Sequence, residues 1–180
     1  MQKLFAVISE SLKDLYDQKK VEKFIDAIEG SKRIFCSGIG RSGLVARAFA
    51  MRLMHLGYEA YVIGETITPR IELGDLLIAV SGSGETPIIV AFAKKTKEIG
   101  AKVVAVTSKA DSSIAKIADL TIVLKSKFGK EISKFAPLGT LFEITALIFL
   151  DGIVAEIMEK KNISEDKLAR RHSIENEVGL

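Results

Sequence analysis

Two hydroxyl-rich glycine loops lie 43 residues apart, Gly38-Ile39-Gly40-Arg41-Ser42-Gly43 and Ser81-Gly82-Ser83-Gly84-Glu85-Thr86. Glycine admits positive φ and lets backbone approach a ligand closely. The N–H groups that open a following helix then face that ligand, with the positive end of the helix dipole behind them. Ser42, Ser81, Ser83 and Thr86 add hydroxyls that donate to phosphate oxygens. Arg41 adds a fixed charge with fork geometry. Gly40, Gly82, Gly84 and Glu85 complete the two candidate binding loops. Together they point to one pocket for a phosphate and a chain of sugar hydroxyls. The plainer alternative, turns and helix caps only, explains one loop better than it explains two.

The first loop also fits Gly-x-Gly-x-x-Gly, the dinucleotide fingerprint. Glu65 follows Gly43 by 22 residues, where a ribose-binding acid would sit. Three features oppose that reading. The second loop has no role in a dinucleotide fold, the chain is short for a dehydrogenase with its own substrate domain, and Glu65-Thr66-Ile67-Thr68-Pro69 reads as a polar loop facing a small ligand. Glu65 therefore stands as a candidate hydroxyl acceptor or second base.

The elements that must position these loops follow from periodicity. Apolar residues recur at helical spacing over 2–29, as one long helix or two short ones ending near Gly30. Strands are predicted at 33–37, 59–63, 76–80, 102–106 and 120–124. The unbroken apolar run 76–80 fits a parallel sheet covered on both faces. Helices are predicted at 43–56 with a Leu44, Ala48, Met51 stripe, at 86–99, at 111–118 capped by Asp111 or Ser112, at 140–161, and at 164–172 capped by Ser164. The 140–161 helix is apolar almost all round, which implies burial or a subunit interface.

Alternating strands and helices define an α/β chain, a three-layer doubly wound five-stranded parallel sheet of the flavodoxin-like kind. Residues 1–180 read as one domain, with an N-terminal helical segment 1–30 and a C-terminal helical tail 162–180. Such sheets bind ligands beyond the strand carboxyl ends, where strand order reverses. Both glycine loops fall at strand carboxyl ends.

Bulk properties narrow the function classes. Of 180 residues, 26 are basic and 23 acidic, a net +3 without a basic stripe, so no nucleic acid is expected as a partner. Cys36, the single cysteine, permits no intrachain disulfide and reads as a small core residue. No apolar run reaches the length of a membrane span, since Glu143, Asp151 and Glu156 interrupt 141–158. Residues 1–29 carry charges throughout, unlike a signal peptide. The expected setting is the cytoplasm, with no membrane partner. No histidine or cysteine cluster has metal-ligand spacing, so no metal is expected.

The paired loops, the strand order and the long penultimate helix resemble the sugar isomerase (SIS) fold over nearly the whole chain. Within it the chain is similar to the 6-phospho-3-hexuloisomerases of archaea and bacteria. The stretches that carry this are Gly-Ile-Gly-Arg-Ser-Gly, Ala50–Gly57, Gly64-Glu65-Thr66, Ser-Gly-Ser-Gly-Glu-Thr, Pro137-Leu138-Gly139-Thr140-Leu141-Phe142-Glu143 and Arg171-His172. The resemblance implies interconversion of D-arabino-hex-3-ulose 6-phosphate and D-fructose 6-phosphate without a cofactor. It also implies a homotetramer with active sites shared between subunits.

Moving a carbonyl from C3 to C2 needs a base of tuned pKa, an electrophile at the carbonyl oxygen and firm phosphate positioning. Glu143 is the candidate base, a carboxylate at the start of an apolar helix, and a glutamate in this region serves as base in SIS isomerases. A carboxylate partly shielded from water suits that role. The alternative is a capping box, Thr140-Leu141-Phe142-Glu143, with Glu143 bonded to the Thr140 backbone. His172 is the candidate acid–base partner, since histidine is the residue type whose unperturbed charge change falls nearest neutral pH, and the resemblance implies that such a histidine enters a neighbour's site. His55, between leucines on a helix, reads as structural. Arg41 is expected to meet the phosphate or the enediolate. Two rival functions remain, a non-catalytic phosphosugar sensor and a dinucleotide-binding domain. No DNA-binding helix-turn-helix is evident in residues 1–30, and the presence of both Glu143 and His172 favours the enzyme.

Overall fold

A computed structural model describes residues 1–13, 17–124 and 130–172. Its elements are α1 (Gln2–Leu12), α2 (Gln18–Glu29), β1 (Ile34–Ser37), α3 (Arg41–Leu56), β2 (Ala60–Val62), β3 (Leu76–Val80), α4 (Pro87–Ile99), β4 (Lys102–Thr107), α5 (Ser113–Ile117), β5 (Leu120–Val123), α6 (Lys130–Ser133), α7 (Thr140–Lys161) and α8 (Glu165–Ala169). The N-terminal helical segment is thus two helices, and parts of it (14–16) and of the expected tail (173–180) lie outside the described residues.

The strands form one parallel sheet in the order β2-β1-β3-β4-β5, so the order reverses between β1 and β3. Ser37, the last residue of β1, is in register with Ala79, one residue before the end of β3. Both glycine loops therefore leave the same edge at nearly the same level. This is the crevice that doubly wound sheets use for ligands.

Side chains alternate between faces along each strand. Leu76, Ile78 and Val80 point into a core shared with α2, α3 and α7, while Leu77 and Ala79 point into a second core under α4 and α5. In the first core the Phe24 ring stacks on Phe149 at 6.3 Å between centroids. Burying each such ring contributes on the order of 1.5–3 kcal/mol. Two covered faces explain why β3 carries no polar residue. Cys36 is fully buried in the first core, and burial pushes its thiol up to about 12, in keeping with a packing role.

The predicted stripe on α3 is a correction. Leu44 and Met51 are 62% and 42% exposed, and the buried face is instead Val45, Ala46, Phe49, Ala50, Leu53 and Leu56. Both faces of α3 carry apolar residues, so periodicity alone does not choose between them. Among the described residues, no helix is long and apolar enough to cross a membrane.

Candidate functional site

Gly38 and Gly43 serve packing. A Cβ on Gly43 would sit 2.8 Å from the Gly38 carbonyl oxygen, and one on Gly38 would sit 2.6 Å from that of Ser42. The pair lets α3 start directly off β1. Gly40 differs. It is the N-cap of α3 at φ 60°, ψ −132°, and a Cβ there would meet nothing within 4 Å. The helix begins at Arg41, two residues earlier than its apolar pattern predicts. The N–H groups of Arg41 and Ser42 thus belong to the first turn, which has no intrahelical acceptors.

The second loop is tied from behind. The Gly82 carbonyl accepts from Ser108 N (3.1 Å), Ser108 Oγ (2.6 Å) and Thr107 Oγ1 (3.2 Å) at the end of β4. Within the loop, Ser81 Oγ contacts Thr86 Oγ1 at 3.1 Å and accepts from Gly84 N at 3.2 Å. Ser83 Oγ accepts from Glu85 N at 3.2 Å. Gly84 stands at φ 68°, and a side chain there would run into Ser112. Thr86 is the N-cap of α4 and Pro87 its first residue, where the missing N–H costs nothing.

The two loops face one crevice of about 210 Å³, lined by Ile39, Ser42, Ser81, Gly82, Ser83 and Thr86 and closed by Leu138, Gly139, Phe142 and Glu143. It adjoins a hollow of about 670 Å³ that shares Gly82, Ser83 and Phe142 and adds Ser108, Lys109 and Ser133. Phe142 packs so closely that a Cβ on Gly82 would come within 2.9 Å of its ring. Gly82 is therefore what lets α7 approach the loop.

Glu143 reaches this crevice because of the turn before α7. Leu138 and Gly139 both take positive φ, 54° and 103°, and Gly139 becomes the N-cap. Thr140 is then the first helical residue, so the capping box does not form. Instead Thr140 Oγ1 donates to the Pro137 carbonyl at 2.5 Å. The Glu143 side chain, 15% exposed, points to Arg41, whose Nε lies 2.9 Å from Oε2. That oxygen is closed off from solvent and has no aligned hydrogen bond, so the contact is a bare ion pair. Arg41 Nη1 donates to Thr140 Oγ1 at 3.1 Å.

Other candidates lie elsewhere. Glu65 pairs with Arg47 at 2.9 Å, with both side chains about half exposed, and lines a separate hollow with Thr68, Arg70 and Lys95. The Glu85 carboxylate turns to α5, accepting from Ser113 N (2.8 Å) and Ser113 Oγ (2.6 Å). Those bonds hold its pKa below the usual carboxylate value. His172 stacks on His55, with ring centroids 4.8 Å apart. His55 is in the last turn of α3, ~21 Å along the helix axis from Arg41 at ~1.5 Å per residue. Arg171 fixes the approach by donating to the His55 carbonyl at 3.3 Å. Burial, then the charges of His172 and Arg52, lower the His55 pKa.

Two contributors escape a reading of motifs. Ser108 belongs to neither glycine loop, yet it directly follows β4, the strand beside β3, where strand-end residues converge. Phe142 reads as core and is also crevice wall. Among the described residues, no group of three or more His, Cys, Asp or Glu is placed to hold a metal ion.

Known proteins are similar to this chain in sequence and fold. Residues 27–148 match the family model described as SIS domain. A Methanocaldococcus jannaschii protein named 3-hexulose-6-phosphate isomerase is 47% identical over 155 residues, 86% of this chain and 83% of that one. A Bacillus subtilis protein of the same name is 38% identical over 176 residues, 92% and 95% of the two chains. A Methanococcus jannaschii crystal structure, described as inferring a function of 3-hexulose-6-phosphate isomerase, superposes with a TM-score of 0.87 at 43% identity, covering 96% of this chain and 98% of that one.

Proposed function

The chain belongs to the SIS domain family, and on that premise we propose that it interconverts D-arabino-hex-3-ulose 6-phosphate and D-fructose 6-phosphate through an enediolate. The observation that carries the proposal is that Glu143 shares one crevice with both hydroxyl-rich loops. Relatives named 3-hexulose-6-phosphate isomerase support the substrate pair. Residues 1–180 act as one domain in this reading.

The phosphate is held by the hydroxyls of Ser42, Ser83 and Thr86 and by N–H groups in the first turns of α3 and α4, where helix termini favour anions. Glu143 takes the proton from C2 of the 3-ketose, and the electron pair moves onto the C3 oxygen, giving the 2,3-enediolate. Return of a proton to C3, with transfer of the C2 hydroxyl proton to the C3 oxygen, yields the 2-ketose. Arg41 supplies the positive charge for the enediolate oxygen, a form of stabilisation that is often the largest single catalytic effect. No cofactor is needed, because the reaction is an internal redox exchange between C2 and C3.

His172 is the acid–base partner in this proposal, and it serves another subunit. In its own chain it sits at the far end of α3 from Arg41. A homotetramer with shared sites supplies it. The test is Glu143→Gln, which keeps shape and removes the base. Turnover is expected to fall by about 10²–10⁴-fold while fructose 6-phosphate still binds, and retained turnover overturns the assignment of Glu143.

A further inference from the structure

We infer that Thr140 is a positioning residue for this reaction, acting through Arg41 on the charge that faces Glu143. The inference rests on the proposed isomerisation for its kinetic meaning, and on geometry for the rest.

A threonine hydroxyl has one proton and two lone pairs. At Thr140 the proton is committed, because the Pro137 carbonyl 2.5 Å away can only accept. The oxygen is therefore left to accept, and it does so from Arg41 Nη1 at 3.1 Å. The hydroxyl is polarised in one direction, from a fixed turn carbonyl towards a guanidinium. Thr140 is 8% exposed, so little water competes for it.

The guanidinium is planar, and two contacts define its orientation. Nη1 rests on Thr140 and Nε faces Glu143 Oε2 at 2.9 Å. Both partners lie on the first turn of α7, three residues apart on one helix face. Arg41 is otherwise a long side chain that is 53% exposed and retains much rotamer freedom. The ion pair with Glu143 lacks an aligned hydrogen bond and does not fix direction by itself. Thr140 supplies that direction. Its hydroxyl is not a helix cap, since α7 has no side-chain cap bond and Gly139 holds the N-cap position.

The experiment compares wild type, Thr140→Val, Thr140→Ser, Arg41→Ala and the Arg41→Ala/Thr140→Val double variant, with kcat and KM for fructose 6-phosphate and folding followed by circular dichroism. Thr140→Val is nearly isosteric and loses the hydroxyl. It is expected to lower kcat about tenfold, as loss of one hydrogen bond to a charged group does, with KM changed less than about threefold. Thr140→Ser restores kcat. In the Arg41→Ala background Thr140→Val costs nothing further, the signature of a residue that works through its partner. A Thr140→Val kcat equal to wild type, a full repeat of its loss without Arg41, or failure of Thr140→Ser to restore kcat overturns the inference. If wild type interconverts nothing, the proposed function falls separately. The Arg41 Nε–H resonance in ¹⁵N NMR then decides on Thr140: a shift or broadening in Thr140→Val supports the positioning role, and an unchanged signal overturns it.

Discussion

The imidazole of His172 stacks on that of His55, ring centroids 4.8 Å apart and planes 30° apart, at the end of α3 remote from Arg41. Within one chain this arrangement separates the two groups proposed to move protons, His172 and Glu143. Burial of His55 beside this contact predicts a pH dependence of stability.

His55 has its pKa lowered by burial, with His172 and Arg52 adding charge repulsion. The unfolded chain binds the proton near ~6.5, and the folded chain resists it. Stability from this group is therefore complete above about pH 6.5 and is lost as pH falls through the lower folded value. Thermal unfolding between pH 8 and 5 should show Tm falling on the acid side, and His55→Gln should flatten that fall. Equal slopes for the two proteins would remove His55 as the cause.

Shared sites predict complementation. Glu143→Gln lacks the base and His172→Ala lacks the partner, so each alone is expected to be nearly inactive. Co-expressed, they assemble some sites with both groups intact, and activity returns to a measurable fraction of wild type. Mixed oligomers as inactive as their parents would place both groups in a single chain's site.

The glycines of the two loops make different predictions. Gly84→Ala places a side chain at φ 68°, against Ser112 and 2.9 Å from Thr107 Oγ1, and combines left-handed strain with overpacking, about 2–5 kcal/mol together. Gly40→Ala meets open space and carries only the backbone strain, about 1–3 kcal/mol. Chemical denaturation should rank Gly84→Ala as the less stable, while both weaken phosphosugar binding in calorimetry. Tight binding by a folded Gly40→Ala would remove that face of the loop from the phosphate site.

Glu85 separates a structural from a binding role. Its carboxylate is occupied by Ser113, so Glu85→Ala should lower Tm and leave KM within about twofold of wild type. A KM raised tenfold with unchanged Tm would return Glu85 to the substrate, as the motif alone suggests.

Much of the fold is legible in the sequence because its signals are local. β3 and α7 run over the residues their apolar patterns predict, 76–80 and 140–161, and both glycine loops fall at the reversal of strand order. The sequence misleads, or leaves alternatives open, where a choice is settled at a distance. Leu44 and Met51 look like the buried stripe of α3 until Phe49 and Leu53 are seen packed against the sheet. Thr140 to Glu143 has the spacing of a capping box, yet Gly139 takes the cap and Arg41, 102 residues earlier, takes the carboxylate. Glu85 finds Ser113 across 28 residues. Spacing within a motif does not encode such pairings. α6 is too short to leave a periodic signal.

In the proposed reaction this crevice moves a carbonyl between C2 and C3 of a hexulose phosphate. The direct measurement is to incubate the protein with D-fructose 6-phosphate in heavy water and follow the sugar by NMR. The 3-ketose should appear, with or without deuterium at the exchanging carbons, since an internally carried proton need not mix with solvent. Folded protein that binds the sugar but yields neither 3-ketose nor exchange would contradict that reaction.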